Sequence, residues 1–169
     1  GLNVLLEGLD VKKKILLVED DYPSLNWSFE KRGYDIEYVK LSEHVEEEIQ
    51  EKIENNKIDV LALSLVQWLD GFSIDLEFLK KIKILYPRIL IIADGTQFCG
   101  STNFDFNNSG IDVLGASAYK WLLAGYGNGF MLFSDQVKNE FDLNTIGFNA
   151  ADGNFDKKNS IRFAKQFEP

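Results

Sequence analysis

The sequence predicts an α/β fold, a three-layer sandwich built on a mostly parallel sheet, and three observations carry that prediction. Short apolar runs recur along the chain, and between them lie segments whose apolar residues are spaced as on a helix face. The apolar runs are nearly continuous rather than alternating, as expected of strands covered on both faces. With 169 residues, 45% of them hydrophobic, the chain is long enough for one domain with a sizeable core.

The elements follow in order. Residues 1–9, GLNVLLEGL, carry Leu2, Leu5, Leu6 and Leu9 at helical spacing. KILLV (14–18) reads as a strand, 23–31 as a helix closed by Gly33, and YDIEYV (34–39) as a second strand. Ser42 is expected to cap a helix with Val45, Ile49 and Ile53 on its inner face and Glu46, Glu47, Glu48 and Glu51 largely in water. VLALSL (60–65) is a buried strand. Ser73 is expected to cap the next helix, whose stripe is Leu76, Leu79, Ile82 and Leu85 and whose stop is Pro87. ILIIAD (89–94), VLGASA (113–118) and GFMLFS (129–134) supply three further strands. No internal repeat, low-complexity stretch or linker interrupts the pattern.

Charge and composition narrow the partners. A net charge of −9 argues against nucleic acid and anionic membranes, both of which need a basic face. The one basic run, Lys12–Lys14, suits a solvated loop. A lone cysteine, Cys99, forms no internal disulfide and suits a reducing compartment. With no signal peptide and no run of about 18 apolar residues, the expected location is the cytoplasm. His44, the one histidine, falls on the acidic helix and reads as a surface residue. No start signal precedes the first helix, there is no initiator methionine, and RFAKQFEP (162–169) breaks off as a new segment begins. The expectation is therefore a piece of a longer chain.

Open α/β sheets bind ligands at the carboxyl ends of their strands. Polar residues recur there: Asp20 and Asp21, Ser64 and Gln67, Asp94 and Gln97, Ser117 and Lys120. ILLVEDD (15–21) resembles the first strand of a response-regulator receiver, but Ser64 stands where that chemistry needs a phosphate-accepting aspartate. The informative stretch is 89–133. One strand ends in DGTQ (94–97), and the next ends in SAYK (117–120), followed by WLLAGYGNGFMLF. Asp94 and Lys120, 26 positions apart, emerge at one edge if both strands lie in one parallel sheet.

Pyridoxal phosphate needs such a pair. A lysine amine forms a Schiff base with its aldehyde, and a carboxylate beside the pyridine nitrogen keeps that nitrogen protonated, strengthening the ring as an electron sink. Gly125, Gly127 and Gly129 would let the chain pass close to the lysine and turn into the next strand, although a tight hairpin alone would also explain them.

At these residues the chain resembles the fold-type I pyridoxal-phosphate enzymes of aminotransferase class V, the group of cysteine desulfurases, selenocysteine lyases and isopenicillin-N-epimerase-like proteins. The resemblance extends over almost the whole chain. EDDYPSLNW (19–27) is similar to the segment that sets a side chain over the cofactor ring. SLVQWLDGFSIDLE (64–77) is similar to a segment reading S-H-V-x-W-x-x-G with a later D-L-E. The resemblance implies that Asp94 pairs with the pyridine nitrogen, Gln97 contacts the phenolic oxygen, Ser117 binds phosphate and Lys120 carries the cofactor. Tyr119 stands where the family has histidine, and its hydroxyl could still donate to phosphate. Leu65 replaces another histidine, leaving Gln67 as the nearest polar neighbour. Asp20 and Tyr22 are the ring-stacking candidates, and only Tyr22 has a π-face.

The family's phosphate loop would precede Gly1, and its small domain would follow Pro169, so 1–169 is expected to be the cofactor-binding large domain. The implied function is transformation of a small amino-acid or keto-acid substrate, with amino transfer first. The alternatives are a cysteine desulfurase or selenocysteine lyase, and a non-catalytic relative serving as a binding module. Cys99 reads as a packed thiol rather than a nucleophile. The 22 aromatic residues (13 Phe, 6 Tyr, 3 Trp), with Trp27, Trp68 and Trp121 beside site segments, suit a homodimer.

Overall fold

The computed structural model describes residues 1–143, 149–154, 156 and 163–167. Only part of the segment expected to begin at 162 lies within them. The chain forms α1 (Leu2–Glu7), β1 (Lys14–Val18), α2 (Pro23–Glu30), β2 (Asp35–Val39), α3 (Val45–Asn56), β3 (Val60–Ser64), α4 (Leu76–Leu85), β4 (Leu90–Asp94), β5 (Val113–Ser117) and β6 (Gly129–Phe133).

The six strands form one sheet in the order β2-β1-β3-β4-β5-β6. All neighbours are parallel except β5 and β6, which run antiparallel with Ser117 opposite Gly129. Gly129 is required at that pairing, because a Cβ there would lie 2.9 Å from the carbonyl oxygen of Ala116. Strand order reverses between β1 and β3, the crevice where open α/β sheets take their ligands.

Successive residues of each central strand enter different cores, which is why those strands are apolar without alternation. On one face Leu16, Leu61, Leu63, Ile91 and Leu114 pack with Val45, Ile49 and Ile53 of α3 and Leu79 and Ile82 of α4. On the other, Ile15, Leu17, Val60, Ala62, Ile92 and Val113 pack with Leu5 and Leu6 of α1 and Leu25 and Phe29 of α2. The three layers are thus helices, sheet and helices.

Helix starts depart from the sequence reading in two places. Ser42 does not cap α3: its Oγ accepts from the His44 N–H (3.1 Å), closing a turn, and α3 begins after His44. Ser73 does not cap α4, because it pairs with Val66 in a short bridge, and Asp75 takes the cap by accepting from the Glu77 N–H at 2.9 Å. Leu85, expected in the apolar stripe, is 51% exposed at the last residue of α4. His44 is exposed, as expected.

Asp112, just before β5, is buried and holds three elements together. Its carboxylate accepts from Lys83 Nζ (2.7 Å) on α4, from the Ile91 N–H (2.9 Å) on β4 and from Ser134 Oγ (3.1 Å) after β6. This anchors the strand that leads to Lys120.

Candidate active site

The carboxyl ends of β1, β3, β4 and β5 lie side by side, and each delivers polar side chains to the same edge. Asp94 is the last residue of β4 and is paired in register with Ser64 of β3 and Gly115 of β5. One of its carboxylate oxygens accepts from the Thr96 N–H at 2.8 Å, a tight local turn. Burial pushes its carboxyl above the ordinary range. Hydrogen bonds from Thr96 pull the other way, the negative charge of Asp21 pushes it higher, and the Lys120 ammonium makes a smaller opposing contribution. Among the described residues no cation forms a salt bridge with Asp94.

Lys120 follows β5 by three residues, in a turn closed by the Leu123 N–H donating to its carbonyl at 3.0 Å. Its Nζ lies 5.9 Å from the centre of the Tyr119 ring. The turn packs closely on the loop after β4: Gly100 adopts φ +95°, and a Cβ there would meet the Trp121 carbonyl carbon and oxygen at 2.9 Å. Tyr119 stacks flat on Tyr126, with centroids 4.9 Å apart and planes 22° from parallel. Ser117 ends β5 with its side chain exposed, and its N–H donates to Thr96 Oγ1 at 3.1 Å. Gln97 is half-buried in the turn after Asp94. Sequence reasoning passed over Thr96, which ties the Asp94 turn to the strand that leads to Lys120. Its position two residues after an aspartate is the signal that could have found it.

On the β1 and β3 side, Gln67 is buried, and its Nε2 donates to Asp21 Oδ2 at 3.1 Å. Tyr22 is exposed at the start of α2, edge-on to Trp68 at 5.8 Å. Trp68 Nε1 donates to the Asp20 carbonyl at 3.0 Å, and Asp20 itself holds a left-handed φ of 58°. Of the two ring-stacking candidates, Tyr22 sets its ring against Trp68, while Asp20 meets the same indole through its backbone carbonyl.

These residues fit pyridoxal phosphate. Asp94 is a half-buried carboxylate whose proton affinity is raised first by burial and further by the charge of Asp21, so a protonated pyridine nitrogen beside it would be a favourable partner. Lys120, which forms no salt bridge among the described residues, follows the adjacent strand, and the hydroxyl-bearing residues Ser117 and Tyr119 lie close to it in the chain. Burial and then the charge of Asp94 both push the Cys99 thiol up, which disfavours its thiolate.

No curated protein matches the chain in sequence. Among solved structures, the apo cysteine desulfurase of Thermococcus onnurineus NA1 superposes with a TM-score of 0.75 at 19% identity, covering 86% of this chain and 38% of that one. The cystine C-S lyase C-DES, in complex with its product cysteine persulfide, gives a TM-score of 0.74 at 19% identity over 88% and 42%. The ureidoglycine–glyoxylate aminotransferase of Bacillus subtilis gives 0.71 at 16% over 82% and 37%. The chain thus spans about two-fifths of the length of these structures, and at such identities the likeness shows the fold, that of the fold-type I pyridoxal-phosphate enzymes. The sequence profile of aminotransferase class V matches residues 2–167. That match covers nearly the whole chain, and with it the chain belongs to the aminotransferase class-V family, whose cofactor is pyridoxal phosphate.

Proposed function

We propose that this chain is the cofactor-binding large domain of an enzyme that transforms a small amino-acid or keto-acid substrate, with amino transfer as its reaction. The observation that carries the reading is the pairing of parallel strands β4 and β5, one ending in a half-buried carboxylate and the other leading to a lysine at the same edge. When bound, pyridoxal phosphate supplies an electron sink for the bonds at the substrate's α-carbon. Lys120 Nζ is the amine that holds the cofactor's aldehyde carbon. Asp94 holds a proton on the ring nitrogen, Gln97 donates to the phenolic oxygen, and Ser117 with Tyr119 binds phosphate. Tyr22 is the side chain that would stack on the cofactor, and Gln67, bonded to Asp21, would support it.

Sulfur removal from cysteine is the second reading, supported by the fold shared with the desulfurase and the C-S lyase. The raised thiol of Cys99 weighs against its serving as the nucleophile. The native protein, loaded with cofactor and given amino acids with a keto-acid acceptor, should transfer the amino group without releasing sulfide from cysteine. Sulfide release without amino transfer would replace the first reading with the second.

The functional unit we propose is a cytoplasmic homodimer. Among the described residues no helix is long and apolar enough to cross a membrane. Next to Lys120, Trp121 (57% exposed), Leu123 (86%) and Tyr126 (88%) present large apolar side chains that suit a partner surface. Light scattering on the native protein should give twice the subunit mass, and a monomer would remove this part of the proposal.

A further inference from the structure

Asp21 follows β1 at the point where strand order reverses, and its side chain is almost wholly buried at 3% exposure. Burying a carboxylate is costly unless its oxygens are met by donors. Four donors meet this one. Oδ1 accepts from Ser64 Oγ (2.6 Å) and from the Tyr22 N–H (2.6 Å), while Oδ2 accepts from the Ser64 N–H (2.7 Å) and from Gln67 Nε2 (3.1 Å). Three of the four come from residues 43 to 46 positions further along the chain, so the carboxylate joins two elements rather than closing a local turn. Ser64 is itself in register with Asp94, and the Leu65 N–H donates to the Asp94 carbonyl at 2.9 Å.

We propose that Asp21 is a positioning residue: its carboxylate clamps the end of β3 to the segment after β1, fixing Tyr22 and Gln67 beside Asp94, and its charge adds to that of Asp94 at the ring-nitrogen side of the pocket. The inference rests on the cofactor reading above. Two charges act on Asp94, those of Asp21 after β1 and Lys120 after β5, and the titratable Cys99 thiol in the turn after β4 lies within reach of its field. Asp21 and Asp94 together make this end of the sheet anionic, with Lys120 the one opposing charge among these groups. A base held there gains proton affinity, because its protonated form is the cation these charges favour, and removing one carboxylate charge reduces that gain.

The test uses the native protein with Asp21→Asn and Ser64→Ala, with pyridoxal phosphate itself as the probe. Asp21→Asn nearly keeps the side chain's shape but turns an N–H toward donors, and it removes the charge. Ser64→Ala keeps the charge and breaks only the hydroxyl contact. Two readouts are followed: the pH titration of the absorbance band of lysine-linked cofactor, and the cofactor dissociation constant.

Asp21→Asn should lower the midpoint of that titration by about half a unit or more, the scale of one partly screened charge, and weaken cofactor binding about tenfold or more. Ser64→Ala should loosen the cofactor severalfold with the midpoint unmoved. Wild-type values for both readouts in Asp21→Asn would overturn the assignment. If that variant does not fold, unchanged cofactor binding in both Ser64→Ala and Gln67→Leu would overturn it equally. A wild-type protein with no such band would overturn the cofactor reading and this assignment with it, whereas a normal wild-type band beside an unaffected Asp21→Asn defeats the assignment alone.

Discussion

Gly100→Ala should damage both stability and cofactor binding, because the loop after β4 and the Lys120 turn meet through that glycine. Two costs arise. At φ +95° an alanine lies outside the small left-handed well open to L-residues, which costs on the order of 1–3 kcal/mol. The new Cβ would also sit 2.9 Å from the Trp121 carbonyl group, so one backbone must retreat by about 0.5 Å to reach ordinary contact. Leu122 Cδ2, at 3.0 Å, is a side-chain end that can turn aside, but the Trp121 carbonyl is backbone, so the retreat moves the residue directly after Lys120. A displacement of that size at a reacting group is worth about tenfold or more in rate. Gly33 provides the control: it holds φ +76° after α2, and a Cβ added there would meet nothing within 4 Å, so Gly33→Ala carries the backbone cost alone. Denaturant unfolding should place Gly100→Ala about 2–4 kcal/mol below wild type and Gly33→Ala about 1 kcal/mol below it. Cofactor titration should weaken only in Gly100→Ala. Equal behaviour of the two variants in both assays would refute the packing argument.

Three further outcomes follow from the same geometry. Asp94→Asn keeps an oxygen to accept from the Thr96 N–H, so the turn survives and the charge alone is lost. Cofactor should stay bound while turnover falls at least ~10²-fold, and near-normal turnover would reduce Asp94 to a turn residue. Asp112→Asn leaves Lys83 without its buried partner and should cost about 3–5 kcal/mol in denaturant unfolding, whereas a loss under ~1 kcal/mol would show that α4 and β5 do not depend on the pair. Glu37 is held down to about 2 by hydrogen bonds from Lys14 and Lys52, so its contribution to stability is present above its unfolded value near ~4.3 and is lost as pH falls toward about 2. Glu37→Gln should flatten that acid limb of the stability curve, and an unchanged limb would refute the linkage.

The fold was legible because burial on both faces leaves its mark on every central strand: KILLV, VLALS and LIIAD are apolar at adjacent positions, and only a doubly covered sheet requires that. Helix starts were less legible, since Ser42 and Ser73 carry good capping chemistry but are engaged elsewhere, one in a turn and one in a bridge. The adjacency of Asp94 and Lys120 could be read because each closes a strand or its following turn. The clamp at Asp21 could not: its donors lie 43 to 46 residues away, and no local spacing encodes a contact made only when β1 and β3 pair. Thr96 was legible in part: its place two residues after Asp94 marks the local turn, but the bond from the Ser117 N–H to its hydroxyl, 21 residues away, leaves no local trace.

Every role assigned at this edge of the sheet depends on Lys120 being the residue that carries the cofactor. Borohydride reduction of the native protein with bound pyridoxal phosphate, followed by peptide mapping, tests that claim at the bond itself. The label should fall on Lys120 alone and vanish in Lys120→Ala, together with the absorbance near the visible edge. A label on any other lysine, or on none, would contradict the account.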